Sequence, residues 1–109
     1  WYVGLKGTGT VVLADIMSSH GSWSEITPYS NSTRPAWTPG TISSGSVDNS
    51  GSKATFTVDT SATVYGAMMT DSSAKGGVTG TLFGAGDFSV SKVVSGGDTL
   101  YVTVTCTIT

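Results

Sequence analysis

Residues 99–109, TLYVTVTCTIT, alternate without interruption. Leu100, Val102, Val104, Cys106 and Ile108 fall on one side of an extended strand, and Thr99, Tyr101, Thr103, Thr105, Thr107 and Thr109 on the other. A helical winding would scatter the same residues around its surface, and β-branched Thr and Val favour the pleated state. The pattern predicts a strand with one dry face. Burying each larger aliphatic there is worth roughly 1.5–3 kcal/mol, which cannot offset the entropy of ordering a whole domain, so a second sheet must lie opposite. The expectation is an all-β fold: an antiparallel β-sandwich, jelly-roll-like or immunoglobulin-like, with at most one short helix. Its core is expected to contain Leu100, Val102, Val104, Phe56, Val58, Val64 and Leu82.

The remaining segments supply the partner strands. Residues 1–5 read as a first strand, closed by Gly7 and Gly9 around Thr8. In residues 11–20, VVLADIMSSH, Val12, Ile16 and Met17 would share a helical face, so a short helix is expected over residues 14–19. Residues 23–40 are broken by Pro28, Pro35 and Pro39, which leaves only residues 24–26 free to pair. The rest of that stretch is predicted to be an ordered loop, anchored by Trp23, Tyr29 and Trp37 and folded over one end of the sandwich. Residues 41–47 and 53–58 flank the turn sequence Asp48, Asn49, Ser50, Gly51 and read as a hairpin. Residues 63–70, TVYGAMMT, are apolar on both faces, as in a central strand covered on each side. Residues 78–85 and 88–94 read as two further strands, the first ended by Gly84 and Gly86.

At 109 residues the chain is expected to be a single domain. It begins at Trp1 without a methionine and is strand-like from Tyr2, so a processed longer product with an additional N-terminal piece is expected. Only 11% of residues are charged, against about 25% in typical globular chains, so the expected surface is rich in hydroxyls and nearly neutral. The formal net charge is −2, and Lys6, Arg34, Lys53, Lys75 and Lys92 are dispersed. That is not the basic patch a phosphate backbone requires, and nucleic acid is not an expected partner. No apolar run approaches the roughly 20 residues that span a bilayer, so no membrane partner is expected either. Cys106 is the single cysteine, and its place in the inward row predicts a small buried hydrophobe.

No catalytic constellation emerges. His20 has Asp15 and Glu25 nearby in sequence with serines around it, but no G-x-S-x-G elbow presents a nucleophile. His20 is expected instead to hydrogen-bond near Trp23. The acids Asp15, Glu25, Asp48, Asp59, Asp71, Asp87 and Asp98 stand singly, mostly beside turn residues, with neither acid–base spacing nor a calcium loop. Neither a cofactor nor a metal is predicted, and the chain is not expected to be an enzyme. Asn31, Ser32 and Thr33 match a glycosylation acceptor, which matters only in a eukaryotic secretory route. The alternative to a structural role for the aromatics is a flat platform for sugar rings made by Trp23, Tyr29 and Trp37. It requires both tryptophans to be exposed.

Six segments in order carry a resemblance: residues 1–5; residues 23–38, with W-S-E-I-T-x-Y-S and T-R-P-A-W-T; residues 46–57, with S-V-D-N-S-x-S-K-A-T-F-T; residues 64–68; residues 75–81, with K-G-G-x-T-G-T; and residues 97–105. Together they resemble a family of small tailed-bacteriophage structural proteins, over nearly the whole chain. The resemblance implies a non-enzymatic virion component. The first expectation is a capsid decoration or cement protein on the outside of the head, bound to the major capsid protein and self-associating. The alternative is a tail or fibre subunit, with a carbohydrate-binding role as an adhesin. It carries over no catalytic residues. Tyr29, Arg34 and Trp37 in the proline-braced loop are the expected contact surface, since aromatics and Arg dominate protein interfaces.

Overall fold

The computed structural model describes residues 1–108. Among them eight strands form and no helix: β1 (Tyr2–Gly9), β2 (Trp23–Ile26), β3 (Ser46–Asp48), β4 (Ala54–Thr57), β5 (Ala62–Thr70), β6 (Leu82–Val94), β7 (Thr99–Val102) and β8 (Thr105–Thr107). Every strand pairing is antiparallel. One layer is a four-stranded sheet in the order β2-β1-β5-β6, and the other is built from the two-stranded ladders β3-β8 and β4-β7. The all-β, antiparallel expectation is met.

The core lies between the layers. Val3, Leu5 and Val64 of the sheet meet Ala54, Phe56 and Val102 of the opposite ladders and Val58 just beyond β4, with Tyr29 and Val94 closing the cluster. Of the residues expected there, Phe56, Val58, Val64 and Val102 are buried, while Leu100 and Val104 are partly buried against the same cluster. Leu82 instead packs on the outer face of the sheet, beside a second cluster of Met17, Trp23 and Met68. The strand predicted to be covered on both faces is β5, which lies between β1 and β6 and contributes Val64 to one cluster and Met68 to the other.

Four expectations are corrected. The helix over residues 14–19 does not form. Asp15 Oδ2 accepts from Val12 N at 2.9 Å while Asp15 N donates to Val12 O, and Ile16 and Ser19 exchange both backbone bonds. A side chain that offers the backbone its own partner competes with a helix, and six residues are too few to overcome the cost of nucleation. The long terminal strand is interrupted at residues 103–104, and beyond the break its dry face is lost: Cys106 is half-buried and Ile108 is 85% exposed. The turn at residues 48–51 jogs the chain without reversing it, so β3 and β4 run on along a common partner segment, β8 and β7, instead of pairing with each other. Finally, Gly84 and Gly86 do not end a strand. They lie inside β6, which joins residues 82–85 of the first predicted strand to the whole of the second through register shifts opposite residues 64–66 and 69–70 of β5, while residues 78–81 form no strand.

The second and third corrections share a cause in Asn49. Its side chain is fully buried, donating from Nδ2 to Val102 O at 3.2 Å and accepting at Oδ1 from Val104 N at 2.8 Å. A carboxamide thus takes the ladder position that the interrupted backbone leaves open, joining the two short ladders. Asn31 does the same along β4, donating to Thr55 O and accepting from Thr57 N.

Candidate functional site

The loop that follows β2 is built around Arg34. The guanidinium is 0% exposed and donates in bidentate fashion to Glu25, Nε to Oε2 at 2.9 Å and Nη2 to Oε1 at 2.7 Å. Its remaining donors reach Ser72 O at 2.8 Å and Gly77 O at 2.9 Å, and the Arg34 amide donates to Ser73 O. One side chain therefore fastens the loop after β5 to the loop after β2. Glu25 is available for this because β2 places it directly opposite Lys6, with Ile26 turned to the core side against Leu5. The carboxylate lies close over Gly4, where an added Cβ would come within 3.2 Å of Oε2 and 3.0 Å of Met68.

Tyr29 is equally enclosed, at 1% exposure, its ring edge-on to Phe56 with centroids 4.9 Å apart. Lys75 Nζ stands 4.6 Å over the same ring and donates to Tyr29 O at 2.6 Å. The Tyr29 hydroxyl is buried without a hydrogen-bond partner. Burial chiefly, and then the Glu25 carboxylate, push its pKa well above the ordinary tyrosine range, with Arg34 partly opposing. Trp37 lies apart from these two. It is half-buried against the main core, donates from Nε1 to Val104 O at 3.2 Å, and has its backbone tied to Trp1 O.

Of the three residues expected to meet a partner, Tyr29 and Arg34 are thus consumed inside the chain, and Trp37 is only partly accessible. The reason is energetic: a guanidinium with a buried bidentate carboxylate would forfeit several charge-assisted bonds by turning outward. What the loop presents to solvent is Ser30, Ser32, Thr33, Ala36, Thr38 and Pro39. Trp23 is 4% exposed, so the two indoles form no exposed platform for a sugar ring.

The surroundings of His20 follow the expectation for a hydrogen-bonded loop histidine. Its ring stacks on Trp23 with centroids 4.1 Å apart, and Nδ1 lies 3.2 Å from Trp23 O, a contact that requires the proton on Nδ1. Asp15 accepts from Trp23 Nε1 at 2.9 Å, so its carboxylate serves the indole and not the imidazole. An open groove of about 570 Å³ runs past Ser18, Ser19, His20 and Gly76. Its one carboxylate, Glu25, is already held by Arg34, and its one imidazole, His20, is bound through Nδ1 to Trp23 O. No group of three or more His, Cys, Asp or Glu gathers among the described residues.

Three residues play roles not read from the sequence: Lys6, Asn31 and Asn49. Lys6 had a signal, being a lysine between Leu5 and Gly7 directly after the stretch that reads as the first strand. The two asparagines had none, because a side chain that imitates a strand leaves no period. No protein-family model, curated protein or solved structure matches the chain.

Proposed function

We propose that the chain is a non-enzymatic structural component of a tailed-bacteriophage virion, and specifically a decoration protein bound in many copies to the outside of the capsid through the major capsid protein. The observation that carries the reading furthest is the internal use of its polar anchors. Arg34, Glu25, Asn31 and Asn49 are spent on fastening loops and ladders to one another, and the exterior they hold in place is mostly Ser, Thr and Gly. Loops fixed in this way lose little entropy on docking to a fixed shell, which is what a protein acting by binding energy alone requires. A partner that binds only the assembled state stabilises it by mass action.

The test is localisation in the particle. Density over capsid three-fold or quasi-three-fold positions is the expected result. Density confined to the tail would replace decoration by a tail or fibre role, and absence from purified virions would reject both. A sugar-binding role would require saccharide-dependent quenching of tryptophan fluorescence that Trp37→Ala abolishes.

A further inference from the structure

One edge of the four-stranded sheet is β6, and near its start it carries an unusual pair of features. On one side is an apolar knob. Val12 and Leu13, at the tip of the loop after β1, are 49% and 106% exposed, and they share a shallow depression with Leu82, Phe83, Gly84 and Ala85. On the other side is an apolar groove of about 320 Å³ between the sheet and β8. Its floor is Ala67, Met69, Gly84 and Gly86, its far wall Val104 and Cys106, and an added Cβ at Gly84 or Gly86 would meet nothing within 4 Å. The groove exists because those two strand positions have no side chains. Phe83 stands at the register shift in β6 and borders both features; it is 59% exposed and packs edge-on against Trp1, itself 48% exposed.

We infer that this edge is a self-complementary contact through which two copies of the chain dimerise, the Val12–Leu13 knob of each copy seated in the groove beside Gly84 and Gly86 of the other. Knob and groove are both apolar, and neither carries a charged side chain except Asp15 at the margin, which is occupied by Val12 N and Trp23 Nε1. They lie on opposite faces of one strand edge. Ala85 and Leu82 pack with the outer cluster, whereas Ala67 and Val104 pack with the main core. A two-fold axis running along that edge exchanges the faces, so a single operation places both knobs in both grooves and closes the assembly.

The area agrees. Trp1, Val12, Leu13 and Phe83 together expose on the order of 500 Å² of mostly apolar surface, at the upper end of the roughly 300–600 Å² of the largest patch on an ordinary monomer. With the groove lining the face comes to roughly 600 Å² per partner, the lower limit of specific protein–protein contacts. The inference does not rest on the virion reading, since it concerns the free protein in solution.

Cys106 makes the geometry directly testable, because it lines the groove and is the only native thiol. In the L13C variant, mild oxidation should give a covalent dimer whose disulfide joins position 13 of one copy to Cys106 of the other, identified by peptide mapping. V93C, which places a thiol at a position 79% exposed at the far end of β6, should not cross-link to Cys106. Sedimentation velocity of the unmodified chain should show a concentration-dependent dimer, and Phe83→Asp or Leu13→Asp should raise its dissociation constant roughly thirtyfold or more while leaving the far-UV spectrum unchanged, and the melting curve unchanged at concentrations where the parent is monomeric. A chain that remains monomeric at high micromolar concentration overturns the inference. So does an L13C product that forms a ladder of higher species, or one linked no more efficiently than V93C.

Discussion

Lys6 Nζ donates to Asp87 Oδ1 at 2.7 Å from two strands away, with Gly66 between them in the same row of the sheet. Gly66 has to lack a side chain there, since a Cβ would collide with Gly86 O. The lysine is 0% exposed, and its other two protons go to Gly7 O at 3.2 Å and Gly9 O at 2.7 Å. All three ammonium donors are therefore satisfied, while Asp87 is 59% exposed at its side chain.

The two partners should not be equivalent. Lys6→Met keeps the stem but strips two carbonyls of their donor, and is expected to cost about 2–3 kcal/mol in chemical denaturation. Asp87→Asn removes a solvent-screened charge and keeps an acceptor, with an expected cost under about 1 kcal/mol. Equal losses from the two substitutions would locate the lysine's contribution in the ion pair and not in the carbonyls.

Arg34→Lys retains the charge but cannot reproduce a planar fork that serves Glu25, Ser72 O and Gly77 O together. A loss of about 2 kcal/mol or more is expected. Hydrogen exchange locates it: amides in residues 71–80 should exchange faster, while those of β5 keep their protection relative to the global stability. Uniform acceleration throughout the sheet would mean that Arg34 does not act through this loop.

Asn49→Ala deletes both side-chain bonds across the interrupted ladder and leaves Val102 O and Val104 N without partners. The expected cost is about 2–3 kcal/mol. Asn49→Asp should cost more, because it keeps the acceptor for Val104 N but buries a carboxylate facing Val102 O. Thermal melts rank the parent above Ala and Ala above Asp; an Asp variant as stable as the parent would show that the carboxamide donor is dispensable.

Alternation made the sandwich legible, because residues 99–102 and 54–58 carry a period of two that only a half-buried strand satisfies. The same rule misled beyond residue 102. The register there is set by Asn49, 53 residues before Val102 and 55 before Val104, and periodicity is blind to a side chain that hydrogen-bonds as a backbone does. Residues 41–58 failed for a related reason: Asp48 and Asn49 are turn formers by composition, yet Asp48 accepts from Ser50 N and Asn49 reaches the opposite strand, so the chain jogs. At the candidate site the sequence found the loop but not its polarity. Arg34 is an interface residue by type, and only the placement of Glu25 on a neighbouring strand turns it inward.

Tyr29 offers the sharpest test of an unpaired group. Its hydroxyl is buried and makes no hydrogen bond, so Tyr29→Phe removes an unsatisfied donor while keeping the ring against Phe56 and beneath Lys75. At neutral pH the substitution is expected to be neutral or to stabilise by about 1 kcal/mol, where loss of a paired hydroxyl would cost a similar amount. The pH dependence has a definite sign. The folded-state pKa is raised above the unfolded value, so the contribution of the protonated hydroxyl is fully present below the ordinary tyrosine value of about 10 and is lost as pH rises beyond it. The parent should therefore lose stability relative to Tyr29→Phe between neutral pH and pH about 11, as measured by urea midpoints at each pH. Parallel pH profiles for the two proteins, or a marked loss in the phenylalanine variant at neutral pH, would show that the hydroxyl is solvated or paired in solution.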